Sequence, residues 1–110
     1  MSKRILGRDL EVSSIGLGCM GMSHAYGRPS DKTEAKNLLA KAVDLGYTMF
    51  DTAEVYGTAE NPHHNETLLG EILKPYRNQI KIATKGGLHF DENSTVVNKN
   101  LVPDSRPEVL

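Results

Sequence analysis

Hydrophobic positions in this chain form short, separated groups, and their spacing predicts alternating strands and helices. The clearest group recurs every three to four positions, as on one face of an amphipathic helix, and comprises Ala35, Leu38, Leu39, Ala42 and Val43. Asp31 and Glu34 resemble a capping box in front of it. Gly46 stands where a left-handed residue commonly follows a helix. These signals predict a helix between Asp31 and Gly46.

A second helix and three strands follow from the same kind of pattern. Residues 66–74 are predicted to be helical, with Leu68, Leu69, Ile72 and Leu73 on the buried face and Pro75 helping to end the helix. Short apolar runs at residues 15–18, 47–51 and 80–84 predict strands. The order β-α-β-α-β with short connections favours parallel strands and right-handed crossovers.

The two ends of the chain have different patterns. Residues 1–14 predict a β-hairpin that turns at Gly7-Arg8-Asp9. Residues 86–110 are polar and without a clear period, which predicts a long loop and then the start of another helix, with Ser105 as its cap and Pro107 in its first turn. A parallel α/β barrel needs roughly 250 residues, so 110 residues could hold only part of one. A helix signal that is followed by only a few residues favours a truncated chain.

Composition narrows the functional classes. The 110 residues are 38% hydrophobic and 25% charged, which is typical of a soluble globular chain, and the net charge of −1 gives no reason to expect nucleic acid or a membrane surface as partner. No apolar run approaches the ~20 residues of a membrane span. The charges of Met1-Ser2-Lys3-Arg4 are not followed by a long apolar segment, so we expect no signal peptide. Cys19 is the only cysteine, so no disulfide can form within the chain and we expect a cytoplasmic location. Because Cys19 lies in a Gly-rich apolar run, we expect a packing role for its thiol and not a catalytic one.

Asp51, Tyr56 and Lys85 are the candidate catalytic residues. Asp51 and Lys85 each end a predicted strand, and parallel α/β folds place active sites at such ends. Tyr56 follows in the loop after Asp51. A lysine cation beside a tyrosine hydroxyl stabilises the phenolate, and a carboxylate keeps the lysine charged and oriented. The alternatives at this point are a structural salt bridge and a packing tyrosine.

Three ordered motifs resemble the signature of the aldo-keto reductases. The first is Gly46-Tyr47-Thr48-Met49-Phe50-Asp51-Thr52-Ala53-Glu54-Val55-Tyr56-Gly57, followed by Asn65-Glu66 and Leu69-Gly70. The others run from Leu10 to Met22 and from Ile82 to Lys85. The resemblance covers essentially the whole chain. It implies an α/β fold, the N-terminal part of a (β/α)8 barrel with an N-terminal hairpin and about three of the eight barrel strands.

The resemblance also implies a function. Members of this family reduce aldehydes and ketones with NADPH and without a metal. By position, Tyr56 resembles the family's proton donor, Lys85 the residue that tunes it, and Asp51 the ion-pair partner near the nicotinamide ribose. Gly21 and Met22 correspond to the first strand-to-helix loop, which approaches the cofactor. The expected substrate is a small carbonyl compound, and the sequence leaves the oligomeric state open.

The chain also departs from the family pattern. The family's catalytic histidine is expected beyond Leu110, and Gly86-Gly87 stands where relatives often carry a bulkier residue. We therefore expect weak or absent NADPH turnover from these 110 residues alone. A non-catalytic truncated product, an interaction module that retains the barrel start, and another (β/α)8 enzyme are the alternatives.

Three of the four histidines lie in loops where a functional role can be considered. Two of them, His63 and His64, stand close to Glu66, but adjacent histidines in a polar loop point in different directions, so a solvated loop is preferred over a metal site. His24, with Tyr26, either lines the substrate mouth or covers the barrel top.

Overall fold

The N-terminal hairpin is present as predicted. The computed structural model describes residues 1–24, 27–95 and 100–110. Strands β1 (Lys3–Leu6) and β2 (Leu10–Ser13) pair antiparallel, with Leu6 opposite Leu10. Gly7 has a φ of 64°, a left-handed conformation that glycine adopts without steric cost and that the tight turn requires.

Three parallel strands form the central sheet. They are β3 (Leu17–Gly18), β4 (Met49–Asp51) and β5 (Lys81–Ala83), in the order β3-β4-β5. Gly18 lies beside Asp51, and Asp51 beside Ala83. The predicted parallel arrangement is confirmed, although each strand is shorter than expected. The carboxyl ends of all three strands therefore lie at one edge of the sheet.

Two helices connect the strands. Helix α1 (Lys32–Asp44) begins where predicted, because the Asp31 side chain accepts a hydrogen bond from the Glu34 amide at 2.8 Å, and Gly46 after its end has a φ of 94°. Helix α2 (His64–Leu73) begins two residues earlier than residue 66 and continues as a 3-10 helix over Lys74–Gln79. In the described part of the chain, no helix is long and apolar enough to cross a membrane.

The core lies between the helices and one face of the sheet. Its buried members come from α1, α2, β4, the segment directly after β3 and the residue before β5: Cys19, Met22, Ala35, Leu39, Ala42, Phe50, Leu68, Leu69, Ile72, Leu73 and Ile80. The predicted burial of Leu38 in the apolar stripe of α1 is wrong, because this residue is 49% exposed. Leu38 and Leu39 point in different directions from the helix, and the contact of α1 with the rest of the core covers Leu39 but not Leu38.

The prediction of a loop over residues 86–110 is wrong in part. Strands β6 (Leu88–Phe90) and β7 (Leu101–Pro103) form an antiparallel hairpin, with His89 opposite Val102. Three-residue strands are too short to show a period in the sequence.

The predicted cap at Ser105 is also wrong. The Asp104 carboxylate accepts instead, from the Arg106 amide at 3.3 Å and from the Arg106 guanidinium at 2.9 and 2.8 Å. The Val109 amide then donates to the Arg106 carbonyl at 2.9 Å, in a turn and not in a regular helix. The Asp104 side chain therefore makes the side-chain-to-backbone hydrogen bond of this turn, as aspartates at turns commonly do.

Candidate active site

Asp51, Tyr56 and Lys85 converge beyond the carboxyl ends of β4 and β5. The Lys85 ammonium donates to Asp51 Oδ1 at 2.6 Å and to Tyr56 Oη at 3.2 Å. It also donates to the Thr52 carbonyl at 2.8 Å, so three acceptors surround its three hydrogens. The Asp51 and Lys85 side chains remain 44% and 49% exposed. The cluster is thus assembled and open to a ligand.

The backbone brings these residues together by extending the pairing of β4 and β5. The Thr52 amide donates to the Ala83 carbonyl at 2.8 Å, and the Glu54 amide donates to the Lys85 carbonyl at 2.9 Å. The two segments therefore run side by side after the strands end. Because Lys85 lies beyond the register partner of Asp51, its long side chain reaches across to the carboxylate.

The charge of Lys85 depends on its neighbours. Desolvation lowers the pKa of the Lys85 ammonium, but the hydrogen bonds with Asp51 and Tyr56 outweigh it, so the pKa lies above the ordinary lysine value. Lys85 is therefore a cation throughout the neutral range. It also lies over the Tyr56 ring, 4.8 Å from the centroid, so both the hydroxyl and the ring of Tyr56 contact a positive charge.

His24 lies beside Tyr56. The two rings are stacked with centroids 6.0 Å apart, and His24 Nδ1 is 2.7 Å from the Gly57 carbonyl. Because a carbonyl only accepts, Nδ1 carries the hydrogen, which assigns the tautomer of neutral His24. The prediction that His24 lines the substrate mouth agrees with this position but is not tested by it. Its predicted companion, Tyr26, lies outside the described residues.

Gly21 and Met22 belong to a short 3-10 helix, Met20–Met22, directly after β3. Gly21 is exposed, whereas the Met22 side chain is buried in the core. The Met22 carbonyl already accepts from the Ser30 amide at 2.7 Å. The sequence-based assignment of both residues to a cofactor loop stays a prediction, with Gly21 as the more accessible of the two.

Cys19 takes no part in the cluster's chemistry. Its side chain is completely buried, as predicted for a packing thiol. Burial raises the pKa of the Cys19 thiol to about 11, so the nucleophilic thiolate is scarce at neutral pH.

Sequence reasoning quoted Asn65 within the family motif but gave it no role, although it is fully buried and hydrogen-bonded to residues beside the cluster. The available signals were its place in that motif and its position three residues before Leu68, the first buried leucine of α2. A buried amide must find partners, but the sequence does not show which ones.

One cavity adjoins the cluster, and a second lies next to the first. The smaller, about 150 Å³, is lined by Ala53, Val55, Tyr56, Lys85, Gly86 and Leu88. The larger, about 630 Å³, shares Val55 and Leu88 with it and extends between the loop after β4 and the β6–β7 hairpin, where His63 and Phe90 line it. Space for a small organic molecule therefore begins at the Tyr56 side chain.

Glu66 and His64, which were considered as metal ligands, make hydrogen bonds within the protein. The Glu66 carboxylate accepts a hydrogen bond from the Thr84 hydroxyl, and His64 Nδ1 lies 3.4 Å from the Asn61 side-chain amide. Across residues 1–24, 27–95 and 100–110, no group of three or more His, Cys, Asp or Glu side chains is placed to hold a metal ion.

Comparison with known proteins identifies the family. The family model described as "Aldo/keto reductase family" matches residues 14–106. An "Aldo-keto reductase" from Gibberella moniliformis is 40% identical over 100 residues, covering 89% of this chain and 29% of the relative. A Glycine max protein named "Probable aldo-keto reductase 1" is 43% identical over 82 residues, covering 74% of this chain and 22% of the relative.

A solved structure has the same fold. The holo form of an aldo-keto reductase from Bacillus halodurans superposes with a TM-score of 0.69 at 36% identity, covering 86% of this chain and 29% of that one. The chain thus spans less than a third of the length of these relatives. Its hairpin and three parallel strands are the start of a (β/α)8 barrel. The chain belongs to the aldo/keto reductase family, a family of oxidoreductases.

Proposed function

We propose that Asp51, Tyr56 and Lys85 act in the NADPH-dependent reduction of aldehydes or ketones to alcohols. The observation that carries this proposal is the contact of Lys85 Nζ with both Tyr56 Oη, at 3.2 Å, and Asp51 Oδ1, at 2.6 Å. A phenol hydrogen-bonded to a cation, at the mouth of a cavity, is equipped to donate a proton. Family membership supports the reaction class.

Each residue has a separate task in this reaction. Tyr56 donates its hydroxyl proton to the carbonyl oxygen as negative charge develops there. The Lys85 ammonium stabilises the phenolate that remains, and Asp51 holds Lys85 at hydrogen-bond distance from Tyr56. The substrate gains a hydride at carbon and a proton at oxygen, and Tyr56 regains its proton from solvent. A bound reduced nicotinamide supplies the hydride.

The residues present fit a nicotinamide cofactor. Asp51 keeps 44% of its side chain exposed while one oxygen binds Lys85, so the carboxylate can also accept from a ribose hydroxyl. Gly21 presents exposed backbone after β3, at the same edge of the sheet. We propose that Asp51 and the Gly21–Met22 segment contact the cofactor. The cavity beyond Leu88 then takes the body of the carbonyl substrate.

NADPH titration of the 110-residue chain tests the cofactor part of this proposal. We expect the amide NMR signals of Gly21, Asp51 and Lys85 to shift on addition of NADPH. Unchanged signals at these positions would overturn cofactor binding by this chain.

Reduction of an aromatic aldehyde, followed through the absorbance of NADPH, tests the chemistry. We expect weak or absent turnover by these residues alone, and any turnover to be lost in Tyr56→Phe. Turnover that survives Tyr56→Phe would contradict the role of Tyr56. A non-catalytic interaction module remains the alternative, and it predicts no response to NADPH and no reduction.

A further inference from the structure

Asn65 is a completely buried polar residue in the first turn of α2, and its amide makes three hydrogen bonds. Its Oδ1 accepts from Thr52 Oγ1 at 2.5 Å. Its Nδ2 donates to the Cys19 carbonyl at 2.9 Å and to Ser23 Oγ at 2.6 Å. Because the Cys19 carbonyl only accepts, the amide nitrogen must face it, which settles the orientation of the amide. Both amide hydrogens are therefore used.

One arm of this network leads to Tyr56. Ser23 is also buried, and its hydroxyl accepts from Asn65, so its single hydrogen is free to donate. It donates to the Tyr56 carbonyl at 2.8 Å. The backbone that carries the Tyr56 ring is thus attached to Asn65 through one hydroxyl.

The other two arms lead to Lys85 and Asp51. The Thr52 hydroxyl donates to Asn65, and the Thr52 carbonyl accepts from Lys85 Nζ at 2.8 Å. Cys19, whose carbonyl accepts from Asn65, donates its own amide to the Asp51 carbonyl at 2.9 Å. A single side chain is therefore connected to the backbone of Tyr56 and of Asp51 and to a residue, Thr52, whose carbonyl holds the Lys85 ammonium.

We propose that Asn65 is a positioning residue that holds the Tyr56 hydroxyl against the Lys85 ammonium, acting through Ser23 and Thr52. The inference rests on the proposed function of Tyr56 and Lys85, and Asn65 itself touches no reacting atom. The Lys85–Tyr56 distance of 3.2 Å lies near the upper limit for a hydrogen bond. A displacement of the Tyr56 loop by about 0.5 Å away from Lys85 would weaken the contact, since such bonds are short-ranged.

The ionisation of Lys85 reports on this contact without any need for turnover. The hydrogen bond with Tyr56 is one of the interactions that raise the pKa of Lys85. We expect the Lys85 13Cε signal to titrate at lower pH in Ser23→Ala and in Asn65→Leu than in the wild-type chain. Tyr56→Phe, which removes the hydroxyl itself, sets the size of the shift expected when the contact is lost.

Ser13→Ala is the matched control. Ser13 is likewise buried, accepts from the Thr48 amide at 2.9 Å and donates to the Ile15 carbonyl at 2.7 Å, but it lies before β3 and β4, at the opposite end of the sheet. We expect this variant to lose stability as Ser23→Ala does while the Lys85 titration stays in place. A shift of equal size in Ser13→Ala would mean that general loosening moves Lys85, and would overturn the proposal.

The proposal is also overturned if Lys85 titrates as in the wild type in folded Ser23→Ala and Asn65→Leu chains. If Asn65→Leu does not fold, the test rests on Ser23→Ala, which removes a single oxygen atom and therefore disturbs the core less. Lack of an NADPH response in the wild-type chain would overturn cofactor binding by this chain and leave this titration result standing. Where turnover is measurable, Ser23→Ala should lower kcat and leave KM within about twofold. The reason is that Ser23 supports proton donation by Tyr56 and does not contribute to binding of the substrate.

Discussion

Lys85 Nζ and Asp51 Oδ1 lie 2.6 Å apart although the two residues are 34 positions apart in the chain. The pairing of β4 with β5 brings their backbones side by side, and the ion pair then directs the ammonium toward Tyr56 Oη. The carboxylate, the ammonium and the phenol form one continuous hydrogen-bonded series.

Asp51→Asn should lower the pKa of Lys85. The amide keeps the size of the carboxylate but removes the negative charge that helps to raise that pKa. Because the folded-state pKa of Lys85 is raised, the charged lysine contributes to the free energy of unfolding. This contribution is complete below about pH 10.4, the ordinary lysine value, and is lost as pH rises through the folded-state pKa. The 13Cε titration of Lys85 measures the change. An unchanged titration would show that Asp51 does not support the charge of Lys85.

Tyr56→Phe should abolish proton donation and leave the fold intact. The ring remains for stacking on His24, and only the hydroxyl that contacts Lys85 is lost. Where turnover of this chain is measurable, we expect kcat to fall by about 100-fold or more in Tyr56→Phe. Tyr76→Phe, at a partly buried tyrosine packed against the core, is the control and should retain activity. Equal losses in the two variants would assign the effect to stability.

Cys19 should be protected from thiol reagents while the chain is folded. Its pKa of about 11 and complete burial keep it protonated and covered, whereas an unfolded thiol has a pKa of about 8.5. At pH 8 we expect labelling to be at least about 100-fold slower without urea than with it. The same difference makes stability fall as pH rises from about 8.5 toward the folded-state value. Rapid labelling of the folded chain would contradict the position of Cys19 in the core.

Gly57→Ala should destabilise the loop that carries Tyr56. A Cβ at Gly57 would lie 2.1 Å from the Asn61 carbonyl oxygen and 2.6 Å from that of Pro62, and backbone atoms cannot move aside without shifting the loop. We expect a loss of about 1–3 kcal/mol in the free energy of unfolding, measured with urea.

Gly70→Ala is the matched control for Gly57→Ala. Gly70 lies inside α2 and is exposed, and a Cβ added there would meet nothing within 4 Å. Alanine should therefore stabilise the chain by about 0.5–1 kcal/mol through its higher helix propensity. Destabilisation of both variants by similar amounts would contradict a specific steric conflict at Gly57.

The features that can be predicted from the amino-acid sequence are those that depend on local chemistry. Asp31 and Gly46 mark the ends of α1 because a capping carboxylate and a left-handed glycine act within a few residues. Asp51 and Lys85 can be assigned to adjacent strand ends because a β-α-β order with short connections leaves few alternatives. The sequence therefore predicts Asp51, Tyr56 and Lys85 as one group.

The features that only the folded chain reveals are those that depend on distant partners. Asn65 bonds to residues 13, 42 and 46 positions away, and no local pattern reveals such contacts. The β6–β7 hairpin escapes prediction because three-residue strands gain their stability from pairing and show no period. Leu38 shares the apolar spacing of Leu39, yet only Leu39 is buried, since packing of α1 on the rest of the molecule selects the covered side. Local preference sets which element forms, and packing sets what each side chain contacts.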